Sequence, residues 1–176
     1  MAKKTMTRAG QHEYPDVIIS ISERSMLDQI ESVYSCQRLR FTHLRQLVYL
    51  FIYRANNQGI SAYQILDIMK YHNPQAQPAT IYRAINFLLQ TKLIIKIESK
   101  SKFIVRQVST NEEISIYMVC TDCGSVKEIF DSEIKYFLTK IVHKSGYIIN
   151  NDHIEISVTC PNCQAGLNIL QQQKSP

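Results

Sequence analysis

Four segments in the first half of the chain carry apolar side chains at the spacing of an amphipathic helix. Each segment begins with a residue that caps helix N-termini or with a proline suited to the first helical turn. These starting positions are Ser25, Thr42, Ser61 (with Gln64 in a capping box) and Pro78. Gly59 and Pro74 follow the second and third segments, where they end a helix. The pattern therefore predicts four helices before residue 91.

The fourth predicted helix has two chemically different faces. The face predicted to be buried consists of Ile81, Ile85, Leu88 and Leu89. The opposite face is small, polar or cationic and consists of Ala79, Arg83, Asn86 and Gln90. A short helix with such a front can enter the major groove of DNA. An ordinary solvated helix face has the same pattern, so both interpretations stay open at this point.

Two β-rich runs follow the helices and predict a hairpin. Leu93–Glu98 and Phe103–Arg106 are joined by Ser99–Lys102, which places Lys100 and Lys102 at a basic tip. Helices followed by such a hairpin are typical of a winged helix, in which the tip lies near the phosphate backbone of DNA. The combination is more specific than any of its parts.

Beyond residue 111 the pattern changes to alternating strands around one helix. Alternation at Ile114–Met118 and at Ile154–Val158 predicts two half-buried strands. Apolar residues at helical spacing between Asp131 and Gly146 predict the helix. This half is therefore expected to form a small module of its own.

Composition and charge narrow the class of protein. Of 176 residues, 45% are hydrophobic and 20% are charged, which is a globular balance. Residues 1–98 carry 12 Lys and Arg against 7 Asp and Glu, whereas residues 99–176 carry 8 of each. The excess positive charge lies in the first half, which suits a nucleic-acid-binding half joined to a neutral one, although chance could also produce it.

The compartment expected from the sequence is the cytoplasm. No apolar run approaches the roughly 20 residues of a membrane span. The basic segment Met1–Arg8 is not followed by the apolar region of a secretory signal. In a reducing cytoplasm, paired cysteines more often bind a metal than form disulfides.

Four of the five cysteines form two pairs with zinc-knuckle spacing. Cys120 and Cys123 make the first pair, and Cys160 and Cys163 the second, with 36 residues between the pairs. Two such pairs complete a tetrahedron around one zinc ion. Gly124 follows the first pair, where a tight turn needs a positive φ.

The alternatives to a zinc site are disulfides, a redox dithiol or an iron–sulfur cluster. A redox pair needs a helix N-terminus to lower a thiol pKa, but the first pair follows a predicted strand and precedes strand-like sequence. The fifth cysteine, Cys36, stands by itself in the first predicted helix and is expected to be a small buried hydrophobe.

Several motifs occur in a fixed order between about residues 25 and 163. They are Ser61-Ala-Tyr, Pro74-Gln-Ala, Thr80-Ile-Tyr-Arg-Ala, Phe87-Leu-Leu, Ile97-Glu-Ser and the two cysteine pairs. Together they resemble the ferric uptake regulator family and, within it, the zinc uptake regulator (Zur) branch. The resemblance implies a homodimeric transcriptional repressor of metal-uptake genes, with structural zinc on the four cysteines and a second, regulatory metal.

The resemblance also assigns roles to residues on the third and fourth helices. Tyr63 and Arg83 match positions that contact bases, and Thr80 and Tyr82 lie in the same motif as Arg83. Arginine can bond guanine bidentately, and a tyrosine ring can pack on a thymine methyl group. Asp67 and Lys70 match positions that pair between neighbouring dimers on DNA.

The sequence departs from the family at the regulatory metal site. The histidine-rich segment of the family reads Glu112–Tyr117 here, without a histidine, and the wing positions are Ile95 and Arg106. Glu128 stands where a ligand is expected, and the remaining candidates are Glu113 and His153 or Asp152. Zinc prefers imidazole and thiolate, so carboxylates make a weak site. Metal sensing is therefore expected to be weakened or lost.

With the resemblance, the sequence predicts an α+β chain in five parts. These are a flexible extension at 1–24, a winged-helix DNA-binding domain at 25–106, a hinge at 107–113, a small zinc-stapled α/β dimerisation domain at 114–170 and a tail at 171–176.

Three functions are compatible with the residues, and one of them is favoured. The favoured function is a DNA-binding regulator with a double-stranded operator and no small-molecule substrate. A zinc-stapled protein-interaction module without DNA function is the alternative. A thiol oxidoreductase is disfavoured, because the five histidines are scattered and no catalytic constellation accompanies the cysteines. We therefore expect a protein that is not an enzyme.

Overall fold

The computed structural model describes residues 17–36, 39–106, 115–149 and 153–172, and these residues divide into two units. The first unit contains the described residues up to Arg106, apart from the short segments Asn57–Gly59 and Ile97–Lys100. The second unit contains those two segments and the described residues from Ser115 onward. The hinge predicted at 107–113 lies outside the described residues. No helix in the described ranges is long and apolar enough to cross a membrane.

The described residues up to Arg106 form four α-helices and a β-hairpin, in the predicted order. The helices are α1 (Ile21–Cys36), α2 (His43–Ala55), α3 (Ala62–His72) and α4 (Pro78–Gln90). The hairpin strands are β1 (Ile94–Ile97) and β2 (Lys102–Val105), and a 3-10 turn over Glu98–Lys100 connects them. The predicted capping box is confirmed: the Ser61 N–H donates to Gln64 Oε1 at 2.9 Å, and the Gln64 N–H donates to Ser61 Oγ at 3.2 Å.

The core of the first unit is built mainly by α2, α3 and α4. Fully buried side chains from these helices include Leu47, Val48, Ile52, Ile65, Met69, Ile81, Ile85 and Leu88. The predicted apolar face of α4 is therefore largely confirmed, although Leu89 is only half-buried. Pro78 is the first residue of α4, where its missing N–H has no intrahelical partner to lose. Burial of one face of α4 leaves the predicted polar face in solvent.

The predicted start of α1 at Ser25 is wrong, because the helix begins four residues earlier. Ser20 and Glu23 form a capping box there: the Ser20 N–H donates to Glu23 Oε2 at 2.8 Å, and the Glu23 N–H donates to Ser20 Oγ at 3.3 Å. Residues 21–24 are thus helical and not part of the extension predicted at 1–24. The buried positions of α1 also differ from those predicted, since Leu27 is fully buried and Val33 is exposed.

A bidentate ion pair fixes the start of α1 to the end of α2. Arg54 Nε donates to Glu23 Oε1 at 2.7 Å, and its Nη2 donates to Glu23 Oε2 at 2.9 Å. Arg54 Nη2 also donates to the carbonyl oxygen of Ile18 at 2.6 Å. The hydrogen bond from Arg54, supported by the Ser20 N–H, lowers the pKa of Glu23 to about 2. These bonds explain why the helix starts at Ile21.

Replacing Glu23 by glutamine is expected to remove a pH-dependent part of the stability. The pKa of Glu23 is lower in the folded protein than its ordinary value of 4.5, so its contribution is present above pH 4.5 and lost as the pH falls towards 2. Arg54 is 38% exposed, so we expect a loss of only about 1 kcal/mol at pH 7. Unfolding free energies at pH 7 and pH 3 measure it, with the exposed Asp28→Asn as control. A difference between wild type and Glu23→Gln that does not shrink at low pH would contradict this assignment.

The second unit contains a three-stranded sheet and two helices. Its strands are β3 (Ser115–Cys120), β4 (Val126–Ile129) and β5 (His153–Val158), and its helices are α5 (Ser132–Lys144) and α6 (Pro161–Gln172). The sheet order is β4-β3-β5, with β4 antiparallel and β5 parallel to the central β3. Asp131 caps α5 by accepting from the N–H groups of Glu133 and Ile134 at 2.9 and 3.0 Å.

The sequence analysis did not predict α6. This helix extends to Gln172, so the first two residues of the tail predicted at 171–176 are helical. Its only strong start signal is Pro161, which lies inside the second cysteine pair and is the first residue of the helix.

Candidate metal centre and nucleic-acid interface

Strand pairing brings the four paired cysteines to one edge of the sheet. Cys120 is the last residue of β3, and Cys160 follows the end of β5. Because β3 and β5 are parallel and Cys120 is in register with Val158, the two strands end side by side. Cys123 lies in the turn after β3, and Cys163 lies in the first turn of α6. Two turns from opposite ends of the module thus meet at one point.

The spacing of the four sulfur atoms fits one tetrahedral zinc ion. Cys120 Sγ lies 3.9 Å from Cys163 Sγ, and Cys123 Sγ lies 3.7 Å from Cys160 Sγ. All four sulfurs lie within 4.8 Å of one another. Zinc–sulfur bonds of about 2.3 Å in a tetrahedron place the sulfurs about 3.8 Å apart, whereas a disulfide needs about 2.05 Å. The four cysteines therefore form a structural zinc site.

The backbone around the first pair favours thiolate at the site. N–H groups of Cys123 and Cys160 are directed at Cys120 Sγ and lower the pKa of this thiol to about 6. The Ser125 hydroxyl lowers the pKa of Cys123. By contrast, contact with Cys160 raises the pKa of Cys163 to about 12. Several thiolates this close repel one another, so the full set needs a cation to ionise, and zinc supplies it.

Two features of the metal centre bear on the predictions. Gly124 has a φ of +73°, which confirms the turn expected after the first pair. Cys160 immediately precedes α6, so the second pair does lie at a helix N-terminus, as a redox pair would require. The four sulfurs nevertheless form a single cluster, which is the arrangement of a metal site.

The prediction for Cys36 is wrong. This cysteine is exposed at the last residue of α1 and is not a buried hydrophobe. Cys36 lies three residues after the exposed Val33, so both side chains lie on the solvent side of α1.

The residues proposed to read DNA lie on exposed faces of α3 and α4. Thr80, Tyr82 and Arg83 are all exposed on α4, and the Tyr82 side chain is 53% accessible. Tyr63 is 71% accessible at the second position of α3. Asp67 and Lys70 are exposed four and seven residues later on the same helix, so they share a face with Tyr63. These polar side chains are free of any role in the core.

The predicted hairpin tip is present, with partly covered lysines. Lys100 ends the 3-10 turn between β1 and β2, and Lys102 opens β2; both are half-buried. Ser101 between them has a φ of +51°, which allows the chain to reverse there.

Of the candidate residues for a regulatory metal, the structure describes two, Glu128 and His153. Glu113 and Asp152 lie outside the described residues. Glu128 is half-buried on β4, and its Oε1 accepts a hydrogen bond of 2.6 Å from the Tyr117 hydroxyl. The His153 ring stands edge-on to Tyr117 with the ring centres 6.0 Å apart. Within the described ranges, the four cysteines are the only group of three or more side chains placed to share a metal.

Sequence reasoning missed Tyr117 and Glu155 as parts of this region. Tyr117 is fully buried, and its neighbours in register are Glu128 on β4 and Glu155 on β5. Residues in register on neighbouring strands share a sheet face. The three side chains therefore form a row across the sheet, which requires the strand register and cannot be inferred from alternation within one strand.

Comparisons with known proteins agree on one family. The model of the ferric uptake regulator family matches residues 37–157. The zinc uptake regulation protein of Escherichia coli (strain K12) is 29% identical over 141 residues, which is 80% of this chain and 82% of that protein. A solved structure of a zinc uptake regulator complexed with zinc and DNA has a TM-score of 0.74 at 27% identity, covering 85% of this chain and 99% of that one. The crystal structure of holo XcZur has a TM-score of 0.70 at 25% identity, covering 80% and 98%.

Proposed function

This chain belongs to the ferric uptake regulator family, and we propose that it is a homodimeric repressor of the zinc uptake type whose response to regulatory zinc is weakened or lost. Its targets are proposed to be zinc-uptake or other metal-homeostasis genes, and its place of action the cytoplasm. The observation that carries the proposal is the exposed polar and cationic face of α4, backed by a fully buried apolar face.

Recognition of DNA is assigned to α3, α4 and the hairpin tip. A helix that buries one face and presents arginine, threonine and tyrosine on the other is suited to the major groove. Arg83 is proposed to bond guanine, and Tyr63 to contact a base edge or a thymine methyl group. Thr80 and Tyr82 add contacts from α4, while Lys100 and Lys102 neutralise phosphates. The net positive charge of residues 1–98 supports this assignment.

Dimerisation is assigned to α5 and to β5, the outer strand of the sheet among the described residues. The apolar pattern of α5 predicted a buried face, yet this helix has no buried residue within the chain. Phe137 is 57% and Ile141 63% exposed, and Ile156 on β5 is exposed as well. An exposed apolar face of this kind is covered most economically by a second copy of the chain. Asp67 and Lys70 are proposed to pair between neighbouring dimers on one operator.

Weakened sensing is proposed from what surrounds Glu128. The Tyr117 hydroxyl donates to this carboxylate, so a metal would have to compete with a hydrogen bond already in place. Ile95 is buried and has no ligand atom, and the half-buried Arg106 has a cationic side chain where the family places a ligand. Glu113, Glu128 and His153 together offer only one of the imidazole or thiolate groups that zinc prefers. One zinc per protomer is therefore expected.

Operator selection followed by zinc titration tests the proposal. We expect protein holding one zinc to select a defined duplex from a random library and to bind it with a steep salt dependence, because phosphate contacts release counterions. Further zinc should change the affinity less than about tenfold. A large rise at sub-nanomolar free zinc would show that a regulatory site exists. Binding to no duplex at low salt would leave the zinc-stapled interaction module as the better function.

A further inference from the structure

Glu155 holds the loop between β1 and β2. Its Oε1 accepts a 2.6 Å hydrogen bond from the N–H of Glu98, and its Oε2 accepts a 3.1 Å bond from the N–H of Ser99. The loop segment Ile97–Lys100 and β5 both belong to the second unit, so these bonds lie within it. One carboxylate thus satisfies two successive backbone donors of the 3-10 turn.

The surroundings of Glu155 support a charged carboxylate at this place. Burial raises its pKa, but the Ser99 hydroxyl and the N–H groups of Glu98 and Ser99 lower the pKa by more, so the net direction is down. Hydrogen bonds to an ionised acceptor are stronger than those between neutral groups. Ile97, the residue before the turn, is fully buried, so the loop is fixed on both sides of Glu98.

The position of Glu155 in the row across the sheet relates this contact to metal binding. Glu155 and Glu128 flank Tyr117 in register, and each has a hydrogen-bond donor from this chain itself. Two carboxylates that could attract a cation are thus already bonded, one to a tyrosine hydroxyl and the other to a backbone turn.

We propose that Glu155 is a positioning residue that fixes the β1–β2 loop without a regulatory metal. The proposal rests on the proposed function, in which this loop is the wing that carries Lys100 towards phosphates. Lys100 belongs to the same three-residue turn as Glu98 and Ser99, so fixing their backbone also fixes the point from which its side chain extends. Because Glu155 belongs to the chain itself, this anchoring of the turn does not depend on whether zinc is available.

Amide hydrogen exchange at Glu98 and Ser99 tests the contact directly. In full-length protein holding one zinc per protomer, both amides should be protected, and Glu155→Ala should speed their exchange about tenfold or more. Glu155→Gln keeps one acceptor oxygen and should give an intermediate rate. Asp28→Asn removes an exposed carboxylate of α1 and should leave both amides unchanged. Unchanged zinc content and melting temperature show that the variants remain folded.

Binding to the duplex selected by the wild-type protein is the second readout. Glu155→Ala should bind it about fivefold more weakly, which is less than the full loss of a hydrogen bond to a charged group because the turn carries only part of the contact with DNA, and added zinc should not restore the affinity. Equal exchange in wild type and Glu155→Ala would overturn the proposal, as would restoration of protection by zinc. A wild-type protein with protected amides that selects no duplex would refute the proposed function while leaving the contact established.

Discussion

Replacing Cys163 by serine is expected to release the zinc ion and to unfold the second unit, which would also abolish the proposed dimer. Structural zinc contributes roughly 10–16 kcal/mol in zinc-finger peptides, and that binding energy is folding energy. The ion connects the end of β3 to the start of α6. Losing one thiolate therefore removes the connection between these two parts of the second unit. Zinc content, sedimentation velocity and melting temperature would each report the loss.

Cys36→Ser is the matched control for this substitution. Cys36 is exposed on α1 and lies outside the zinc site, so the same chemical change there should leave zinc content, dimer and melting temperature as in the wild type. A Cys163→Ser protein that stayed dimeric with an unchanged melting temperature would mean that the zinc ion is dispensable for the fold.

Replacing Arg83 by alanine is expected to weaken binding to the selected duplex by about 1–3 kcal/mol and to relax the preference for one base pair. Arg83 is exposed on α4 and contributes nothing to the core, so the loss should appear in recognition and not in stability. Affinity for a panel of single-base variants of the duplex measures both effects. The unfolding free energy should stay within about 0.5 kcal/mol of the wild type.

Lys102→Ala separates base reading from general attraction to phosphate. This variant should weaken binding to all sequences alike and reduce the slope of log affinity against log salt by about 1. Arg83→Ala should instead change the order of preference among sequences. If Arg83→Ala lowered affinity uniformly and left the preferred sequence intact, its proposed contact would be with the phosphate backbone.

Elements governed by local signals were predictable from the sequence. The Ser61–Gln64 capping box and Pro78 mark helix starts through contacts within one turn, and both were located correctly. The start of α1 was missed because it depends on Arg54, which lies 31 residues from Glu23. Ser25 is an acceptable cap in isolation. The helix nevertheless starts after Ser20, because the capping box there is stabilised by an ion pair with another helix.

The metal centre was predictable from the sequence, whereas the hydrogen bonds of Glu128 and Glu155 were not. Cysteine pairs with two intervening residues carry their geometry in the spacing, and the four sulfurs do come together. The bonds of Glu128 with Tyr117 and of Glu155 with the β1–β2 loop depend on strand register, which a one-residue slip would abolish. No spacing rule along the chain gives that register.

The parallel pairing of β3 with β5 sets a slow step for the newly made chain. Parallel neighbours cannot be joined by a tight turn, and here residues 121–152, including α5, must cross over before the first bond between β3 and β5 forms. Closing a loop costs entropy before its contacts repay it, so the sheet should form later than the helices of the first unit, whose contacts are more local. A zinc ion held by the first cysteine pair gives the returning chain a fixed target at the end of β3. In a cell short of zinc, the side of β3 that takes β5 would stay unpaired for longer, and proteases would have longer to remove the chain.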